Sequence, residues 1–78
     1  MSEKIVHKTE YQLSEMIAKI GYISTHQRQM LKGALLYLLH EGNGTLTEEH
    51  VGRALYAFEE GRVLSHGSRQ EVMTKLFE

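Results

Sequence analysis

The chain has no cysteine, no proline and no tryptophan, and all of its acidic residues are glutamates. Without cysteine, disulfides and thiolate metal sites are excluded. At 78 residues, a lone domain buries only about 60% of the surface that its unfolded chain exposes. Oligomerisation is therefore the simplest way to enlarge the core. The composition, 41% apolar and 24% charged, is that of a folded domain and not of a disordered tail.

The net charge is −1, which argues against a dedicated nucleic-acid binder, because such proteins gain affinity from a basic face. The charge is uneven along the chain. Residues 1–39 hold five basic and three acidic residues, whereas residues 40–78 hold four basic and seven acidic ones. This difference is compatible with a weakly basic face, although a solvated surface of mixed charge explains it more simply.

Long apolar runs are also lacking. The longest run, residues 34–39, is far shorter than the roughly 18 residues of a membrane span. The N-terminus lacks the apolar segment of a signal peptide. We therefore expect a cytoplasmic protein with no membrane partner.

The first 39 residues begin with an irregular segment and continue into helices. Residues 1–8 mix charged and apolar side chains without a period, which predicts a flexible N-terminal arm, followed by a single helical domain over 9–78. The first helix opens at Thr9, which forms a capping box with Gln12. We expect it to end at Gly21 in the left-handed conformation. Its apolar face is formed by residues at helical spacing, namely Leu13, Met16, Ile17 and Ile20.

The second helix is predicted from Ser24 or Thr25 to about Glu41, and its apolar residues cover more than half of its circumference. A surface helix needs an apolar stripe of only about 100°, so the excess favours burial against a second copy of the chain. Leu36 stands apart, in a sector that a monomer would leave exposed. Gly33 is unfavourable in a helix, and a close helix crossing is one reason to tolerate it. We therefore predict a homodimer interface at Met30, Gly33, Leu35, Leu36 and Leu39.

The rest of the chain contains two more helices. Gly42-Asn43-Gly44 ends the second helix, and Thr47 caps a third helix that extends to about Gly61. After a loop at residues 62–67, Ser68 is expected to cap a short C-terminal helix. No window alternates apolar and polar residues over the length of a strand. The predicted fold class is all-α, with three main helices plus a short C-terminal helix, forming a helical homodimer.

The sequence shows no arrangement of residues that is typical of catalysis or metal binding. No two of the five histidines are one helical turn apart. The glutamates of the pairs Glu48-Glu49 and Glu59-Glu60 are adjacent in sequence, so they cannot face one another on a helix. The serines and threonines lie mostly at helix starts, without a neighbouring base. We therefore expect no catalytic residue, no cofactor and no metal ion, and a protein that is not an enzyme.

The five histidines are the one unusual feature of the composition. They are of interest because histidine side chains titrate between about pH 5 and 7. His26 and His40 flank the predicted interface and are candidate pH-sensing residues. The alternative is that all five histidines are solvated and simply gain charge, without an effect on assembly.

A DNA-binding helix-turn-helix is the other pattern that the sequence partly matches. The connection from Gly21 to Thr25 has about the right length, and the second helix opens with residues that can reach base edges. The remainder of that helix is too apolar to lie in a groove. Contact of a dimer with nucleic acid would use the basic half of the chain, at Lys19, Arg28 and Lys32.

The glycines and the apolar residues also follow a more specific pattern. One glycine ends the first helix at Gly21, an apolar residue follows at Ile23, and a second glycine stands at Gly42. Between and after them come Leu31, Ala34, Leu35, Leu38, Val51, Leu55, Phe58 and Glu59. The pattern spans roughly residues 10–77 and has no gap from Gly21 to Glu59. It resembles the YmgB/AriR family of small enterobacterial two-component-system connector proteins (YcgZ/YmgA/AriR-like), and the tail Lys75-Leu76-Phe77-Glu78 is similar to that of YcgZ-like members.

The resemblance implies an all-helical, cytoplasmic homodimer that regulates biofilm formation and acid resistance and provides input to the Rcs phosphorelay. Direct DNA binding has also been suggested for the family, and no catalytic or ligand-binding residues are implied. We therefore expect a small non-enzymatic connector that binds a regulatory or signalling protein as a homodimer. The alternative is a DNA-binding transcriptional regulator that uses a weakly basic face of the dimer.

Overall fold

The computed structural model describes residues 3–78. Over these residues it contains, in chain order, β1 (Ile5–His7), α1 (Glu10–Ala18), α2 (Thr25–Glu41), β2 (Thr45–Thr47), α3 (Glu48–Glu60) and α4 (His66–Phe77). The fold is mostly helical, as predicted. The expectation of a purely α-helical fold is wrong, because the structure also contains two short strands.

The two strands form an antiparallel sheet in which Val6 pairs with Leu46. Leu46 is buried and Val6 packs partly buried against the core, so this apolar cross-strand pair holds the ladder on the helices. The expected flexible arm over residues 1–8 is thus replaced by a strand at residues 5–7, while residues 1 and 2 lie outside the described residues. Strands of three residues are too short to show the alternation on which sequence-based prediction depends.

The segment before β1 is tied to the ends of two helices. Glu3 accepts a hydrogen bond from the backbone N–H of Glu49 at 2.7 Å, and the carbonyl of Lys4 accepts one from Glu48. A carboxylate at this position also interacts favourably with the positive end of the α3 dipole. Lys4 Nζ also donates to the carbonyl of Phe77, the last residue of α4, at 3.4 Å.

The helices begin at hydroxyl caps. Thr9 caps α1 in a capping box with Gln12, Ser24 caps α2, and Thr47 caps α3, which confirms the predicted starts. The predicted start of α4 at Ser68 is wrong. Ser65 is the cap, since its hydroxyl accepts from the backbone N–H of Ser68, and Ser68 is buried inside the helix.

The left-handed residue after α1 is not the one that the sequence predicted. α1 ends at Ala18, and the residue with positive φ is Tyr22, at 61°, and not Gly21. After α2, Asn43 and Gly44 have positive φ. Gly42 is required for a different reason, because a Cβ there would collide with the carbonyl oxygen of Thr45.

A single hydrophobic core lies among the four helices and β2. Thirteen buried residues form it, namely Leu13, Ile17, Ile20, Leu31, Leu35, Leu39, Leu46, Val51, Leu55, Leu64, Val72, Leu76 and Phe77. The longest helix, α2, contributes one face to this core and exposes the opposite face. That division determines which parts of α2 remain open to a partner.

Candidate functional site

The inner face of α2 is already used within the chain. Leu31 and Leu35 are 0% exposed and Leu39 is 4% exposed, all three in the core. Two of the residues predicted to form the dimer interface, Leu35 and Leu39, therefore pack against their own chain and offer no surface to a second copy. The sequence pattern identified them as apolar but did not show on which side the rest of the chain would cover them.

Leu36 also differs from the expectation. It is half-buried and packs against the core, so it does not stand in an exposed sector of the protein. Of the five predicted interface residues, only Met30 and Gly33 lie on the exposed side of α2.

The exposed side of α2 carries a regular line of residues, which we call the outer stripe: His26, Met30, Gly33, Tyr37 and His40. They follow one another at alternating intervals of four and three residues, so they lie within an arc of about 80°. Met30 is 37% exposed and Tyr37 is 64% exposed. Residues that recur at alternating intervals of four and three form the contact face when one helix packs along another.

Gly33 lies at the middle of the outer stripe and faces open space. Apart from its two chain neighbours and the backbone of α2, a Cβ built at Gly33 would meet no atom of residues 3–78 within 4 Å. Glycine in a helix interior costs about 1 kcal/mol relative to alanine, and nothing within the chain requires this residue to lack a side chain. The structure therefore leaves room for a close approach at Gly33 from outside.

Other large apolar side chains are exposed only singly. They are Ile5, Tyr11, Tyr22 and Tyr56. Isolated exposed apolar residues are normal on protein surfaces, and the Tyr56 ring lies under the guanidinium of Arg69, whose Cζ is 5.9 Å from the ring centre. The outer stripe differs from them because two large side chains flank a glycine on one helix face.

Arg28, predicted as a nucleic-acid contact, is engaged at the end of α1. Its Nη1 donates hydrogen bonds to the carbonyl oxygens of Ile17 at 2.7 Å, Ile20 at 2.8 Å and Ala18 at 3.3 Å, and its Nη2 donates to that of Ile23 at 3.3 Å. The last carbonyls of a helix lack partners within the helix, and a cation there also interacts favourably with the dipole. Arg28 therefore caps α1 and holds it against α2.

The two predicted lysine contacts remain on the surface. Lys19 lines a cleft that also includes Lys75, whereas Lys32 lines a second cleft together with Arg28. Both lysines are exposed. Two of the three basic residues proposed from the sequence, Arg28 and Lys32, therefore line the same cleft.

The two candidate pH-sensing histidines are both exposed, at opposite ends of the outer stripe. His40 Nε2 lies 3.1 Å from Glu10 Oε1 in an exposed pair that links α2 to the start of α1. Exposed pairs of this kind contribute at most about 1 kcal/mol. The structure thus gives His40 a carboxylate neighbour within the same chain.

A charged cluster that the sequence did not reveal joins α3 to α4. Glu59 Oε1 lies 3.2 Å from His66 Nδ1 and 2.5 Å from Arg69 Nε. The Arg69 Nε–H is buried and not aligned with an acceptor among the described residues, so this contact is an ion pair. Burial raises the pKa of Glu59, but the contacts with His66 and Arg69 outweigh it and lower that pKa below its ordinary value.

No site within residues 3–78 gathers three or more histidine or glutamate side chains in an arrangement that could hold a metal ion. Over the same residues, none of the helices has the length and apolar character needed to cross a membrane. A cleft of about 320 Å³ lies beside β2, lined by residues that include Leu38, Glu41 and His50.

Comparisons of the chain with protein-family models, with curated proteins and with solved structures find no match. The resemblance to the YmgB/AriR family therefore rests on the spacing of its glycines and apolar residues.

Proposed function

We propose that this protein is a small non-enzymatic regulator that acts by protein–protein interaction as a homodimer, with the outer stripe of α2 as the contact between copies. The observation that carries the proposal is the pairing of Met30 and Tyr37, both exposed, around Gly33 on a helix whose other face is buried. A second copy of the same face would cover the two large side chains.

The size of the chain supports self-association. A domain of 78 residues has a small core, and burial of further apolar surface in a dimer adds stability without cysteine or metal. A stable interface buries roughly 800 Å² per partner, which is more than one helix face supplies. We therefore expect a dimer whose population depends on concentration, and a partner protein that completes the assembly.

The resemblance to the YmgB/AriR connector proteins supplies the physiological part of the proposal. By that resemblance, the dimer contacts a regulatory or signalling protein in the cytoplasm. It would influence biofilm formation and acid resistance through a two-component phosphorelay. The exposed face of α2 supports an interaction role, whereas the regulatory pathway rests on the sequence pattern alone.

The function is tested by expressing the chain in an enterobacterial host that carries a reporter for the Rcs phosphorelay. Wild type is expected to change the reporter output, and Tyr37→Glu is expected to lose that effect because a charge enters the stripe. Tyr11→Glu is the matched control, since Tyr11 is equally exposed but lies on α1. An unchanged reporter with wild type, or full activity of Tyr37→Glu, would contradict the proposal.

DNA binding is the second candidate, supported by the exposure of Lys19 and Lys32. It has less support than the dimer, because Arg28 donates its hydrogen bonds to backbone carbonyls. Phosphate contacts make affinity fall steeply between about 50 and 200 mM salt. Absence of DNA binding at low salt, or binding that Lys19→Glu with Lys32→Glu leaves unchanged, would eliminate this candidate.

A further inference from the structure

We propose that the two α2 helices of the dimer cross in antiparallel orientation at Gly33, so that Met30 packs beside Tyr37 of the partner subunit and His26 lies beside the partner's Glu41. The inference rests on the proposed function, because it assumes that the outer stripe is the contact between copies. It adds the orientation of the helices and the residue pairs that meet.

The position of Gly33 sets the crossing point. α2 spans Thr25–Glu41, so Gly33 is the middle residue of the helix as well as the middle of the outer stripe. A crossing at the midpoint lets each half of one helix overlap the opposite half of the other. The open space around Gly33 allows the two backbones to approach there without displacing any side chain.

Symmetry then distinguishes two arrangements. In a two-fold dimer the same surface of both copies takes part. A parallel arrangement aligns the two helix dipoles and sets each Glu41 beside that of its partner, and like charges and aligned dipoles repel. The antiparallel arrangement opposes the dipoles and separates the two Glu41 side chains by nearly the length of the helix.

The charges at the two ends of α2 fit the antiparallel arrangement. α1 and α3 each carry glutamate in the first turn, where negative charge is favourable, but α2 has none there. Its only acidic residue, Glu41, stands at the C-terminus, where negative charge is unfavourable. In the antiparallel dimer the partner's Glu41 lies beside the first turn of α2, next to His26, so both ends gain from the same contact.

The spacing along the helix agrees with this pairing. Met30 lies three residues before Gly33 and Tyr37 lies four residues after it, so their axial positions differ by only about 1.5 Å when one helix is reversed. His26 lies seven residues before Gly33, so it is level with the partner's His40, seven residues after Gly33, and about 1.5 Å from the level of the partner's Glu41. By contrast, Met30 and its own copy are separated by about 9 Å along the axis.

The absence of cysteine from the chain makes disulfide crosslinking a direct test. A disulfide forms only when the two Cα atoms are within about 7 Å. Two single variants are prepared, Met30→Cys and Tyr37→Cys, with Lys32→Cys as the control, because Lys32 is exposed on α2 but lies outside the stripe. Met30→Cys and Tyr37→Cys are also mixed after dissociation, with a mass tag on one of them, and every sample is oxidised.

The antiparallel dimer predicts that Met30→Cys crosslinks to Tyr37→Cys in the mixture. Neither of these two variants would crosslink alone, and Lys32→Cys would not crosslink. Self-crosslinking of both Met30→Cys and Tyr37→Cys would show a parallel pair, overturning the orientation while leaving the outer stripe as the interface. Absence of every stripe crosslink would overturn the interface itself, and with it the structural basis of the proposed function.

Discussion

Arg28 Nη1 donates a hydrogen bond of 2.7 Å to the carbonyl oxygen of Ile17, which joins the first turn of α2 to the last turn of α1. The same guanidinium reaches three further carbonyls around the turn. One side chain therefore ties the start of α2 to the end of α1, on a helix whose opposite end is held by the burial of Leu35 and Leu39 in the core.

Replacement of Arg28 is expected to destabilise the fold. Arg28→Met keeps much of the side-chain volume but removes the guanidinium donors from the carbonyls at the end of α1, at a cost of about 2 kcal/mol. Arg28→Lys recovers only part of this, because a single ammonium group cannot reproduce the guanidinium fork. Urea denaturation measures the effect, with Lys32→Met as the control for loss of an exposed charge on the same helix. Equal stability of the two methionine variants would show that the cap has no energetic role.

Leu35→Ala and Tyr37→Ala are expected to separate folding from assembly. Leu35 is fully buried, so its truncation leaves a cavity and costs about 2–5 kcal/mol of unfolding free energy. Tyr37 is exposed, so its truncation changes the stability of the monomer by less than about 0.5 kcal/mol but weakens self-association. Thermal unfolding in dilute solution and sedimentation equilibrium measure the two effects. A dimer that survives Tyr37→Ala unchanged would remove Tyr37 from the interface.

Gly33→Ala is expected to have opposite effects on the monomer and on the dimer. In the monomer the added methyl group meets no atom, and the gain in helix propensity raises the unfolding free energy by about 1 kcal/mol. In the dimer the methyl group keeps the crossing helices apart. The prediction is a more stable monomer with a weaker dimer, measured by denaturation at low concentration and by dissociation on dilution. Stabilisation of both states would argue against a close crossing at this residue.

Glu59 predicts a loss of stability in acid. Its pKa is lowered in the folded protein from the ordinary value of 4.5, so the ionised form stabilises the fold at higher pH. That contribution is complete above about pH 5 and is lost as the pH falls through the lowered pKa. Unfolding of wild type, Glu59→Gln and the exposed Glu60→Gln is compared between pH 7 and pH 3. Glu59→Gln should flatten the pH dependence, and a profile as steep as that of Glu60→Gln would contradict the ion-pair account.

Local chemistry allowed much of the fold to be predicted from the sequence. Thr9, Ser24 and Thr47 are good helix caps whose signal lies within a few residues, and all three act as predicted. The start of α4 was misplaced because Ser65 and Ser68 are both competent caps, and burial of Ser68 decides between them. The strands were missed because the pairing of Val6 with Leu46 joins residues forty positions apart, which no local pattern reveals.

The candidate interface was predicted only in part for a similar reason. The sequence showed that α2 is apolar over more than half of its surface, but both faces of such a helix look alike until the other helices are packed. Leu35 and Leu39 face the core, while Met30 and Gly33 face outward. Tyr37 lies on the exposed face as well, and the sequence pattern alone did not separate that face from the buried one.

The central claim is that the outer stripe of α2 is the self-association surface. The most direct test is multi-angle light scattering over a range of concentrations, applied to wild type, Tyr37→Glu and Tyr11→Glu. Circular dichroism first establishes that all three proteins are folded. We expect both variants to fold, because each substitution is at an exposed residue. Wild type and Tyr11→Glu should approach twice the mass of one chain as concentration rises, whereas Tyr37→Glu should remain at the mass of one chain. A wild type that stays monomeric throughout, or a Tyr37→Glu variant that dimerises like wild type, would contradict the account.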